Sequence, residues 1–200
     1  MVKIYSISII LALPSQPSTV LANATDLSQF SFYQKGSVGE FMSFFSRTVA
    51  ERTAQGQRQS IVENNYTAHV YNRGGAEQLV AVIITDQEYP VRSAFSILTK
   101  ILDDFITKVP RSSFNNPAAI SFPDIQTYVE KYQAPQQADP IMRVQRELDE
   151  TKIILHKSIE SVLERGEKLD NLVDQSAALS AQTKMFYKTA KKQNACCVVM

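Results

Sequence analysis

Cys196 and Cys197 are the only thiols in this 200-residue chain, and they stand side by side near its end. Neighbouring cysteines cannot staple a fold, so a disulfide-free protein in a reducing compartment is expected. Cys197-Val198-Val199-Met200 sets a thiol before two aliphatic residues and a methionine, the pattern of farnesylation. The chemistry this predicts is a farnesyl thioether at Cys197, loss of Val198, Val199 and Met200, and a carboxyl methyl ester. One prenyl chain holds a membrane only marginally, so a second lipid, palmitoyl or prenyl, is expected on Cys196. Lys184, Lys188, Lys191 and Lys192 precede the pair and can attract anionic lipid.

Arg165 is distinctive by its position. Alternating steps of three and four residues run through Ile141, Val144, Leu148, Thr151, Leu155, Ser158, Val162, Arg165, Leu169, Leu172, Ser176, Leu179, Thr183, Phe186, Ala190 and Gln193. That spacing keeps them on one face of an under-wound helix, a coiled-coil seam. Asp139 and Pro140 suit its first turn, as acceptor of free amides and as a residue with no amide to leave unpaired. The seam is weak: several layers are polar or small, and Gly166 costs a helix about 1 kcal/mol relative to alanine. A homodimer would bury Arg165 against itself. Different partner helices, bringing large side chains and acceptors for the guanidinium, suit the pattern better.

His69 on a strand and His156 on the seam flank have no neighbours at metal-ligand spacing, so no metal is expected. Carboxylates such as Asp103 and Asp104 read as solvated helix faces, and there is no Gly-rich phosphate loop. No Ser or Cys sits in an activating motif. Neither a catalytic residue nor a cofactor is predicted, and the reading is that the chain is not an enzyme. With 44% hydrophobic residues and a net charge of +1, a nucleic-acid partner is also not expected.

Val162-Leu163-Glu164-Arg165-Gly166-Glu167-Lys168-Leu169, with Ile141-Met142-Arg143-Val144 upstream, resembles the SNARE motif of the synaptobrevin class. The resemblance implies that Arg165 is the zero-layer arginine, meeting three glutamines of Q-SNARE partners in a parallel four-helix bundle. It implies that the seam from Ile141 to Ala190 supplies the packing layers.

The elements that must position this segment are legible upstream. Lys3, the run from Ile7 to Leu13 and Ala22-Asn23-Ala24 imitate a signal peptide. The alternation of Tyr5, Ile7, Ile9, Leu11 and Leu13 with Ser6, Ser8 and Ala12 favours a strand. A turn at Pro14-Ser15-Gln16-Pro17-Ser18 and a short strand over 19–22 follow. Ser37 with Glu40 predicts a capping box and a helix start. That helix has Val38, Phe41, Met42, Phe45 and Val49 on one face, Phe44 beside it, and an end near Gly56. Strands are expected over 58–63, 66–73 and 78–85, the last continuously apolar and so central. A second amphipathic helix runs from Val91 to Val109 and is stopped by Pro110, and a short one carries Ile125, Tyr128, Val129 and Tyr132.

This order predicts an α+β fold with a five-stranded antiparallel sheet and helices on both faces. It resembles the longin domain, a profilin-like fold. Asp26-Leu27-Ser28-Gln29-Phe30, Gly56-Gln57-Arg58-Gln59-Ser60 and Ile84-Thr85-Asp86-Gln87-Glu88-Tyr89-Pro90-Val91 carry the likeness to the prenylated, spanless type. The expected organisation is a longin domain over 1–133, a linker over 134–138, a long SNARE helix over 139–193 and a lipidated tail over 194–200. The implied function is fusion of intracellular vesicles, with the protein cycling from cytosol to Golgi, endosomal and vacuolar membranes. An intramolecular longin–SNARE contact is expected at a groove marked by Phe44, unless Phe44 simply completes the domain's core. An alternative function is an acyltransferase whose N-terminal domain binds acyl-CoA, although that domain contains no cysteine.

Overall fold

The computed structural model describes residues 3–14, 16–135 and 152–196, with side chains up to residue 192. Ile141, Val144, Leu148, Thr151, the Asp139-Pro140 start and Cys197 to Met200 lie outside the described residues, as do the side chains of Gln193 and Cys196.

Strands β1 (Ile4–Leu11) and β2 (Thr19–Thr25) pair antiparallel and lead into helix α1 (Phe32–Glu51). Then come β3 (Arg58–Glu63), β4 (Tyr66–Gly74), β5 (Leu79–Asp86), α2 (Val91–Lys108) and α3 (Asp124–Lys131). Two short 3-10 turns, Arg111–Asn115 and Pro117–Ala119, fill the polar loop between α2 and α3. β5 is third in a six-stranded order, β2-β1-β5-β4-β3-β6, where β6 is Ile153–His156. Its continuous apolar run is explained by this place. Leu79, Ala81 and Ile83 pack beneath α2 and α3, while Val80, Val82 and Ile84 pack beneath α1. On the predicted α2 stripe, Phe95, Leu98, Ile101 and Phe105 are fully buried, and Val91 at its start is partly so. Each such side chain contributes about 1.5–3 kcal/mol by leaving water. The end of the domain is pinned to its beginning. Gln133 accepts from the Ile4 amide at 3.0 Å and donates to the Ile4 carbonyl at 2.9 Å.

Four expectations need correction. β1 does not alternate throughout: register shifts at both ends place Tyr5 and Ile10 on the α1 face and Ile4, Ile7 and Ile9 on the other. Its buried Ser6 and Ser8 are accommodated because both hydroxyls donate to Asn23 Oδ1. Helix α1 starts well before Ser37, capped by Ser31, whose amide and hydroxyl both donate to Gln34 Oε1. Ser37 is buried inside the helix, and Glu40 points to a different partner; the helix also ends at Glu51, short of Gly56.

The remaining two corrections are linked. The sheet has six strands rather than five, and β6 runs parallel to β3. β6 comes from the stretch expected to form one long helix. Among the described residues that stretch is β6, a 3-10 turn at Ile159–Ser161, α4 (Leu169–Gln175) and α5 (Ala181–Cys196). A lone helix with polar layers cannot bury its apolar stripe, and helix stability comes mainly from such packing. Folding over the domain buries part of that stripe and covers the β3 edge, whose unpaired amides and carbonyls would otherwise face water.

Candidate functional site

The C-terminal segment occupies a groove bounded by α1 and the β3 edge. β6 adds to that edge in the register Arg58↔Ile153 to Ile61↔His156. Just beyond it, Glu63 accepts from the Ile159 amide at 3.1 Å, and Ile159 is buried. Leu169 and Val173 of α4, together with Leu179, join Val38, Met42, Phe44, Phe45 and Val49 of α1 in one apolar cluster. In α5, Tyr187 stacks on Phe41 with ring centroids 5.2 Å apart. A cavity of about 520 Å³ remains between the layers. Phe30, Val38, Phe41, Met42 and Phe45 line it from the domain, and Ile159, Leu169, Phe186, Tyr187 and Ala190 from the segment.

Polar contacts fasten the segment at two further places. Glu40 accepts from the Ser180 hydroxyl at 2.7 Å, the Ser180 amide at 3.1 Å and the Thr183 hydroxyl. The hydrogen bonds from Thr183 and Ser180 hold its carboxyl below the ordinary value. At the other end of α1, the Arg52 guanidinium grips both Glu167 carboxylate oxygens at 2.8 and 2.9 Å. Burial opposes ionisation of Glu167, but the Arg52 hydrogen bonds, the Glu164 amide and the Arg52 charge together outweigh it, and the carboxyl lies below its usual range. Within the segment, Asp170 binds Lys191 and accepts from the Tyr187 hydroxyl at 2.8 Å, tying α4 to α5.

The regulated-SNARE-like longin model matches residues 27–129, and the synaptobrevin model matches residues 140–198. The synaptobrevin homolog ykt6 of Schizosaccharomyces pombe is 57% identical over 198 residues, spanning 98% of this chain and 99% of the relative. The Saccharomyces cerevisiae YKT6 homolog is 55% identical over 184 residues, 90% of this chain and 91% of its own. That of Debaryomyces hansenii is 53% identical over 202 residues, 99% and 100% respectively. The chain belongs to the longin-bearing synaptobrevin family of SNAREs. It is an R-SNARE of vesicle fusion, in a family whose members work by assembling with other SNAREs rather than by catalysis. Among the described residues, no helix is long and apolar enough to cross a membrane.

In this SNARE the groove engages only part of the predicted seam. Leu169, Leu179 and Thr183 are buried, while Ser158, Val162, Leu172, Ser176, Phe186 and Ala190 are half-buried. Leu155 is 69% exposed, and Arg165 lies exposed in a turn. The two most buried positions of the segment with Thr183, Ile159 at 1% and Val173 at 0%, each stand one residue beyond a seam position. Seam counting missed them because it follows a single 3.5-residue repeat, whereas the groove draws on the neighbouring stripe. Arg52 and Glu63 were missed as well, since nothing local distinguishes them from surface charges, and Glu40 reads as part of a capping box instead. Phe44 is 8% exposed and shares its cluster with both the domain core and the segment.

One close Ser–His pair lies elsewhere in the SNARE's longin domain. Ser60 Oγ is 2.7 Å from His69 Nδ1, but both residues are buried and His69 packs edge-on against Phe95. No substrate can reach them, and the pair is a core hydrogen bond.

Proposed function

We propose that this SNARE alternates between two uses of the same seam. In one, Arg165 forms the central layer of a bundle with three glutamine-bearing Q-SNARE helices, and Ile141 to Ala190 pack the layers around it. In the other, the segment lies closed on its own longin domain, with Phe44 on the groove wall, and is withheld from assembly. The observation that carries this reading is the burial of Leu169, Leu179 and Thr183 against α1. A side chain sequestered there cannot also fill a bundle layer. Lipid at Cys197 and Cys196 anchors the protein to the cytosolic faces of Golgi, endosomal and vacuolar membranes. The apolar cavity, which ends at Ala190 and Lys191, offers the farnesyl chain cover while the protein is in cytosol. No observation favours the acyltransferase reading, since the longin domain has no cysteine.

Mixing the full chain with three Q-SNARE motifs and following helical circular dichroism tests the proposal. Wild type should gain helix slowly, then melt cooperatively. Arg165→Leu should leave the free protein unchanged within about 0.5 kcal/mol, because the residue is exposed there. Its bundle should melt lower, since up to three buried acceptors lose a donor at ~1–3 kcal/mol each. Equal melting of the two bundles would remove Arg165 from the central layer.

A further inference from the structure

Gly166 has a backbone conformation that a helix cannot share. Its φ is +89°, in the left-handed region, at the third position of a turn closed by the Glu167 amide donating to the Glu164 carbonyl at 2.9 Å. A turn with positive φ at that position calls for glycine. The turn is held from both sides. The Glu164 amide donates to Glu167 Oε2 at 3.2 Å, and Arg52, which also donates to the Thr48 carbonyl at 3.1 Å, clamps the same carboxylate to the end of α1. A Cβ built on Gly166 would meet nothing within 4 Å. Glycine is therefore favoured here by backbone conformation alone, and crowding of a Cβ has no part in it.

We propose that Gly166 is the hinge at which this chain divides between its closed and zippered forms. This rests on the two-state reading given above and identifies the residue that sets its balance. Zippering must turn the φ of residue 166 from about +89° to near −63°, one residue from the central arginine. Glycine makes both ends of that change permissible and favours the closed end. It alone takes the left-handed turn without steric cost, and it is the poorest helix former after proline. The weak point of the helix and the tight point of the closed form are thus one residue. Partner helices must supply the free energy to wind it, and the Arg52–Glu167 grip is released by the same rotation.

The test compares Gly166→Ala with Gly166→Asn in the full chain. The Cβ that both variants add meets no neighbour within 4 Å, but asparagine tolerates a left-handed φ and alanine does not, while alanine is the better helix former. Hydrogen exchange at Ile153–His156 and Leu169–Gln175 reads the closed population, and mixing with Q-SNARE motifs reads assembly. Gly166→Ala should lower the closed-to-open ratio about 5- to 30-fold and assemble faster than wild type. Gly166→Asn should stay near wild type in protection and assemble no faster. If wild type is protected at these amides but the two variants exchange and assemble alike, the hinge is overturned and the closed state stands. If wild type shows no protection there, the closed state and the hinge both fall.

Discussion

His69 presents a buried imidazole between two hydroxyls. Thr85 Oγ1 donates to the Asp86 carbonyl at 2.8 Å, so toward His69 Nε2, 3.3 Å away, it has only a lone pair to offer. Nε2 therefore carries the proton, and Nδ1 accepts from Ser60 Oγ. A second proton would place a charge against Phe95, away from water, and burial accordingly pushes the imidazole's pKa down to about 3. The unfolded chain takes that proton near the ordinary value of about 6.5. Between these values the unfolded state binds more protons, so stability is fully present above about pH 6.5 and is lost as pH falls toward 3. Denaturant unfolding of the full chain at a series of pH values should show a loss approaching ~1.4 kcal/mol per pH unit below pH 6. In His69→Gln that part of the slope should vanish, whatever the variant's absolute stability. An unchanged slope would mean that His69 titrates freely in the folded protein.

Helix α4 is the short element on which the two proposed uses of the segment compete. It has only seven residues, too few to be stable alone, and it is held by Leu169 and Val173. Leu169 belongs to the seam, and Val173 lies beside it. The two positions therefore separate closure from zippering. Val173→Asp should forfeit about 1.5–3 kcal/mol of apolar burial and bring a carboxylate into the cluster beneath α1. The closed form should open, with faster exchange over Leu169–Gln175 and faster assembly with Q-SNARE motifs. Leu169→Asp should open the closed form as well, yet weaken the bundle. If Val173→Asp assembled no faster than wild type, closure would not limit assembly. The β3 edge makes a comparable double demand. It accepts β6 as a parallel strand here, and the proposed zippering would leave it uncovered.

At the scale of the whole molecule, the groove, the cavity and α5 form one route. α5 passes over α1 through the Tyr187–Phe41 stack and continues to Cys196, so the expected lipid sites follow directly from the element that roofs the cavity. Intact-mass analysis of the protein from its own cells should find farnesyl plus carboxyl methylation on Cys197 with Val198 to Met200 removed. A second lipid on Cys196 should be enriched in the membrane fraction, because one prenyl chain alone holds a bilayer only marginally. Membrane-bound protein ending in an unmodified Met200 would refute the anchor.

Much of this architecture is legible from local pattern. The unbroken Val80-Ala81-Val82-Ile83-Ile84 run could only be a strand covered on both sides, and the α2 stripe repeats at helical spacing with Pro110 to stop it. The seam with Arg165 inside it likewise follows from spacing alone. The start of α1 is less legible: Ser37-Glu40 matches a capping box as well as Ser31-Gln34 does, and the exposed Phe32 and Tyr33 give no amphipathic signal for the first turn. What only the tertiary structure decided is the conformation of residues 152–196. Their apolar residues satisfy two overlapping stripes, one for partner helices and one for the groove. The choice between them depends on surfaces about a hundred residues away, the α1 face and the unpaired β3 edge, and no local window contains either. Gly166 and Arg52 show the same limit. A glycine in a helical pattern reads as a defect until its left-handed turn is seen, and an arginine at a helix end reads as solvated until Glu167 is found in its grip.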